Sequence, residues 1–154
     1  MPRAEVLNPN QILDILHSET NGNIYFGQKT LDGARFRGKE GLPSEIVKII
    51  FEEQINGETA AICGLAPEAW NYSIIPAAKR LKIPVVPESF KPGNSQMRER
   101  IKSAFLSDHR REVSRGTIVL AGAKRAIATI GASGEEAIER FDDFLSQVKR
   151  EAFW

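Results

Sequence analysis

Apolar positions along the chain recur in two rhythms, one helical and one alternating. Ile12, Leu13, Ile15 and Leu16 share a helical face directly after Asn8-Pro9, a polar cap followed by proline at the first helical position. Asn21-Gly22 closes that helix at about residue 19. Residues 23–28 predict a strand. Asp32-Gly33 then gives a hairpin turn into Ala34, Arg35, Phe36 and Arg37, so two short antiparallel strands are expected. Pro43-Ser44-Glu45 starts a second helix whose broad stripe, Ile46, Val47, Ile49, Ile50 and Phe51, predicts heavy burial before a stop at Gly57.

Thr59-Ala60-Ala61-Ile62-Cys63 is short, apolar and flanked by Gly57 and Gly64. This suits a central strand covered on both faces. Pro76 breaks a helix interior and pushes Ile75 away from helical angles, so the next helix is either kinked or begins near Ser73. In the second case residues 64–72 form a long loop. Residues 82–87 give another strand, and 58–88 then read as a parallel β-loop-α-β unit. A helix over 95–108 carries Met97, Ile101, Ala104 and Phe105 on one face and basic residues on the other. Strands at 117–120 and 126–130 form a hairpin. The last helix buries Ala137, Ile138, Phe141, Leu145 and Val148.

The pattern predicts an α/β (or α+β) fold in three or two layers, with element order αββαβαβαββα. It comprises a mixed sheet with β-hairpins and one parallel unit, over a single domain spanning 1–154. The 42% hydrophobic and 27% charged fractions are those of a chain that packs a core. No apolar run reaches the roughly 18 residues of a membrane span, and Met1-Pro2-Arg3-Ala4-Glu5 lacks an apolar signal region. A cytoplasmic protein with no membrane partner is expected. One cysteine, Cys63, rules out an internal disulfide, and with only His17 and His109 beside it no usual zinc cluster can form. No metal or cofactor is expected.

Charge adds an asymmetry that the pattern hides. Residues 79–125 carry 12 Lys/Arg against 4 Asp/Glu, a net +8 between acidic flanks. Such a block can attract an anionic partner, although charges of this kind also spread over a solvated surface and pair with acidic neighbours. Lys79, Arg80, Arg98, Lys102, Arg110, Arg111, Arg115, Lys124 and Arg125, with Arg35 and Arg37 from the hairpin, are the candidate contacts. The leading expectation is a non-enzymatic binding module for an anionic partner, with nucleic acid favoured. Tyr25, Phe26, Phe36, Trp70 and Tyr72 would supply stacking if they reached the same surface.

Three turns offer alternatives. The turn after the central strand carries Cys63, Gly64, Glu68, Trp70 and Tyr72, at the carboxyl end of a strand where open α/β sheets place ligands. It predicts a small enzyme or a phosphorylated-ligand pocket, with Cys63 either a nucleophile or a small core residue. The turn Ile130-Gly131-Ala132-Ser133-Gly134-Glu135-Glu136 presents helix N–H groups, but its acidic first turn makes Ser133 read better as an N-cap. Lys29-Thr30-Leu31-Asp32-Gly33 is similar to the nucleotidyl-transfer motif of polynucleotide ligases, with spacing off by one residue, and a plain hairpin explains it. Residues 64–71 resemble the strand-to-helix turn of isochorismatase-like hydrolases, with Trp70 where that family has its nucleophilic cysteine. The resemblance therefore implies a shared α/β pattern without the chemistry. A third reading is a structural or homo-oligomerising subunit joined through the 46–51 helix face and Phe153-Trp154.

Overall fold

The computed structural model describes residues 9–31, 33–52, 59–65, 72–87, 95–106, 116–122 and 125–152. Its elements follow the expected order: α1 (Pro9–Glu19), β1 (Ile24–Thr30), β2 (Gly33–Gly38), α2 (Leu42–Glu52), β3 (Ala60–Leu65), α3 (Ile74–Arg80), β4 (Val85–Val86), α4 (Ser95–Leu106), β5 (Thr117–Leu120), β6 (Ala126–Gly131) and α5 (Gly134–Ala152). The strands form one mixed six-stranded sheet in the order β2-β1-β3-β6-β5-β4.

Strand alternation sorts the core into two layers. Ala60 and Ile62 of β3 and Ile127 of β6 face α1, α3 and α5, against Leu16, Ile74, Ala77, Ile138 and Phe141. Ala61 and Cys63 of β3 and Ala128 and Ile130 of β6 face α2 and α4, against Ile46, Val47, Met97 and Ile101. The fold is therefore three-layered. Ile62 is fully buried, a burial worth about 2 kcal/mol by its area alone. β3 is central, as its apolar run predicts.

The parallel unit differs in detail from expectation. β3 and β4 do not pair, because β6 and β5 lie between them. The only parallel ladder among the described residues is β4 with β5, Val85 against Val119 and Val86 against Leu120, connected through α4. Apolar patterning fixes which segments become strands but not which neighbour each one takes. The second option for α3 is the observed one: Ser73 stands at the N-cap position, without a side-chain cap bond, of a helix starting at Ile74, with Pro76 in its first turn, where proline is tolerated because the N–H it lacks has no helical partner.

The hairpins form as predicted. β1 and β2 pair over Tyr25–Thr30, and β5 and β6 over Thr117–Leu120 and Ala126–Thr129. No helix among the described residues is long and apolar enough to cross a membrane.

Candidate functional site

β3 runs antiparallel to β6, and β6 antiparallel to β5, so β3, β5 and β4 all point the same way. Their carboxyl ends, at Leu65, Leu120 and Val86, share one rim of the sheet. From that rim α3 leaves β3 toward one face while α4 leaves β4 toward the other. Connections diverging to opposite faces mark the place, outside the strand ends, where open α/β sheets bind ligands.

At the middle of the rim, Ala126 pairs with both Leu65 and Leu120, so Arg125 enters the sheet between the ends of β3 and β5. The Arg125 Nε atom is buried and makes no hydrogen bond among the described residues. A guanidinium nitrogen cut off from water without a partner is costly, and a native structure usually gives a reason for one. Tyr72 stands on the same side of the fold, ahead of α3, and is 86% exposed. Ala121 N–H donates to the Val86 carbonyl at 2.8 Å, which ties the β5 exit to the end of β4.

His17 belongs to the same end of the molecule. It lies in the last turn of α1, just before the turn that leads into β1, where Ile24 pairs with Gly64. Its Nε2 is also buried without a partner among the described residues. Burial holds its pKa below the usual histidine value; the nearby Arg37 adds to that effect and Asp14 opposes it.

The ligand turn read from the sequence is only partly present in this site. Cys63 is fully buried among the residues facing α2 and α4, and burial pushes its thiol well above the ordinary range. It is a core hydrophobe, not a nucleophile. Gly64 is packed on the other face, where a Cβ would come within 2.7 Å of Phe141 Cζ, so it makes room for α5 instead of a ligand. Glu68 and Trp70 lie outside the described residues.

Among the described residues the basic side chains do not converge. Lys79 and Arg80 belong to α3 in one outer layer, and Arg98 and Lys102 to α4 in the other. Arg80 donates to Glu151 at 2.6 Å and to Gln147 at 3.1 Å. Arg98 pairs with Glu52 at 2.5 Å, and Arg37 with Asp14 at 3.1 Å. Arg35 and Arg37 sit on the far edge strand β2. Arg110, Arg111, Arg115 and Lys124 lie outside the described residues. Tyr25 is buried and Phe26 half-buried, so neither offers a stacking face to solvent.

The remaining expectations resolve locally. Ser133 accepts from Glu136 N–H at 3.2 Å and is the N-cap of α5. Ile46, Val47, Ile49 and Ile50 of the α2 stripe are buried in the core and Phe51 is half-buried beside them. Phe153 and Trp154 lie outside the described residues. No group of three or more His, Cys, Asp or Glu among the described residues could hold a metal ion. Sequence reasoning did not single out His17, and it placed Arg125 among the basic contacts without its position between the ends of β3 and β5. The only signal for them was a strand order that pattern does not encode.

No protein-family model and no curated protein matches the chain. Solved structures do. The N-terminal class II aldolase domain of a conserved protein from Thermoplasma acidophilum superposes with a TM-score of 0.52 at 14% identity, covering 96% of each chain. The C-terminal domain of protein MJ0236 gives 0.54 at 15% identity, covering 93% of this chain and 94% of that one. The C-terminal domain of a phosphomethylpyrimidine kinase gives 0.49 at 12%, covering 87% and 94%. The first two share the α/β fold. The expectation of a nucleic-acid-binding module is overturned: among the described residues its cations are spread over both outer layers and the far edge strand, Arg37, Arg80 and Arg98 are held in ion pairs, and the fold is shared with a class II aldolase domain.

Proposed function

We propose that this chain is a small-molecule-binding α/β domain of enzymatic type, whose ligand carries a phosphate or similar anion held at the rim of β3, β5 and β4. The observation that carries the reading is the buried, unpartnered Nε of Arg125 between the ends of β3 and β5. A guanidinium presents a planar fork of donors that matches two phosphate oxygens at once. Partly shielded from water, such a pair outweighs a surface contact of the same charge. The sharing of this fold by a class II aldolase domain supports an enzyme over a passive scaffold.

Calorimetric titration with a panel of phosphorylated small molecules tests the reading. At least one should bind, and Arg125→Ala should weaken it by about 10- to 100-fold, the range of a charge-assisted hydrogen-bonded pair. Arg98→Ala, on the other layer, should leave the affinity unchanged. Equal losses from both variants would contradict the assignment, and so would a panel without a single binder.

A further inference from the structure

The two edges of the sheet are finished differently. β4 offers an edge of only two residues, bracketed by Pro84 and Pro87, which lack the N–H an added strand would need. Arg100, Ser103 and Ala104 of α4 line a cleft of about 200 Å³ beside it. β2 is six residues long and without proline, and every one of its residues is exposed. It pairs with β1 along its whole length, and its outer edge meets no other described strand.

The side chains on β2 are arranged by face. Phe36 lies on the α2 side, stacked on Tyr25 at 5.8 Å and edge-on to Phe51 at 5.5 Å, yet it remains 41% exposed. Arg35 and Arg37 lie on the opposite face, opposite Gln28 and Phe26 of β1. Asp14 engages Arg37, and Arg35 has no ion pair among the described residues.

We propose that β2 is a docking edge for an extended segment of another protein, one with carboxylates at alternate positions and an apolar residue between them. Backbone hydrogen bonds to the open edge would supply affinity, and the alternating side chains specificity. The carboxylates would fall beside Arg35 and Arg37, and the apolar residue beside Phe36. A second copy of this chain fits poorly. Antiparallel self-pairing centred on Phe36 sets Arg35 of each copy opposite Arg37 of the other, and like charges directly opposite are destabilising. The same arginines thus discourage self-association and select an acidic strand.

A labelled seven-residue peptide of alternating Glu and Val is the probe, read by fluorescence anisotropy and by amide hydrogen exchange on the intact chain. Binding should slow exchange at alternate amides of residues 33–38. Arg35→Glu should weaken it by about fivefold, and that variant should instead favour a Lys/Val peptide of the same length. The proposal is overturned by absence of binding, by protection located away from β2, or by sedimentation showing two copies of the chain joined through β2.

Discussion

The two ends of the β3–β6 ladder are built on opposite plans. At the amino end of β3 the polar groups bind one another. Thr59 Oγ1 donates to the Ala132 carbonyl at 2.6 Å, Thr59 N–H to Gly131 at 3.1 Å, and Ile130 N–H to Gly116 at 2.8 Å. Thr129 Oγ1 donates to Ala137 at 2.7 Å, and Arg140 reaches both the Ile130 carbonyl and Glu136. At the carboxyl end of β3, Arg125 Nε and His17 Nε2 are buried without hydrogen-bond partners among the described residues; Arg140 Nε at the amino end is buried in the same way, but the Nη atoms of that guanidinium are both engaged. At each end a strand leads on to a helix, β6 to α5 at the one and β3 to α3 at the other. The difference teaches that a glycine turn beside a helix start is structural when its donors and acceptors close on themselves. The half-exposed Arg125, with its Nε buried and left without an acceptor among the described residues, is the better pointer to function.

Substitution at the closed end should have the largest effect on stability. A Cβ at Gly131 would lie 2.6 Å from the backbone N of Ala137 and 3.0 Å from the Ser133 carbonyl, where backbone atoms have little freedom to yield. Gly131→Val is expected to cost about 3 kcal/mol in urea unfolding. A cost below about 1 kcal/mol would show that the two ends are less different than the hydrogen bonds imply.

Arg125→Leu should behave in the opposite sense. Replacing a buried unpartnered polar group with an apolar one of similar length is expected to leave stability unchanged, or to raise it by up to about 1 kcal/mol, while abolishing anion binding. A clear loss of stability would mean that Arg125 is a structural member of the core.

Ser133→Ala removes a helix cap and should cost about 1 kcal/mol of stability without touching affinity. The smallest effect comes from His17. Its folded pKa lies below the ordinary value of 6.5, so between those two values the unfolded chain binds the extra proton and stability rises with pH. Acidifying from about pH 7.5 to about pH 5 should therefore destabilise the native chain slightly more than His17→Gln. Equal pH profiles for the two would remove His17 from the open end.

The strands and helices were legible in the sequence wherever burial imposes a period. Residues 117–120 are a strand from apolar content and flanking glycine, and Ile12, Leu13 and Leu16 mark α1 by spacing. Strand order was not legible. Nothing in residues 58–88 says that β6 and β5 will insert between β3 and β4, since all of these strands are similarly apolar. The site was obscured for the same reason. Arg125 is one of twelve basic residues in the 79–125 block, and only the register of Ala126 with Leu65 and Leu120 singles it out. Among the described residues, charge clustered in sequence is dispersed in space, because α3 and α4 carry Lys79, Arg80, Arg98 and Lys102 to opposite layers. Cys63 had both of its readings open until strand alternation placed it toward α2 and α4, away from solvent.

The most direct test of the account is a two-dimensional amide NMR titration of the intact chain with inorganic phosphate. Shifts should concentrate at Leu65, Tyr72, Ala121, Gly122, Arg125 and Ala126, and should vanish in Arg125→Ala. Shifts centred on Ser133–Glu136, or on the basic face of α4 at Arg98 and Lys102, would contradict it.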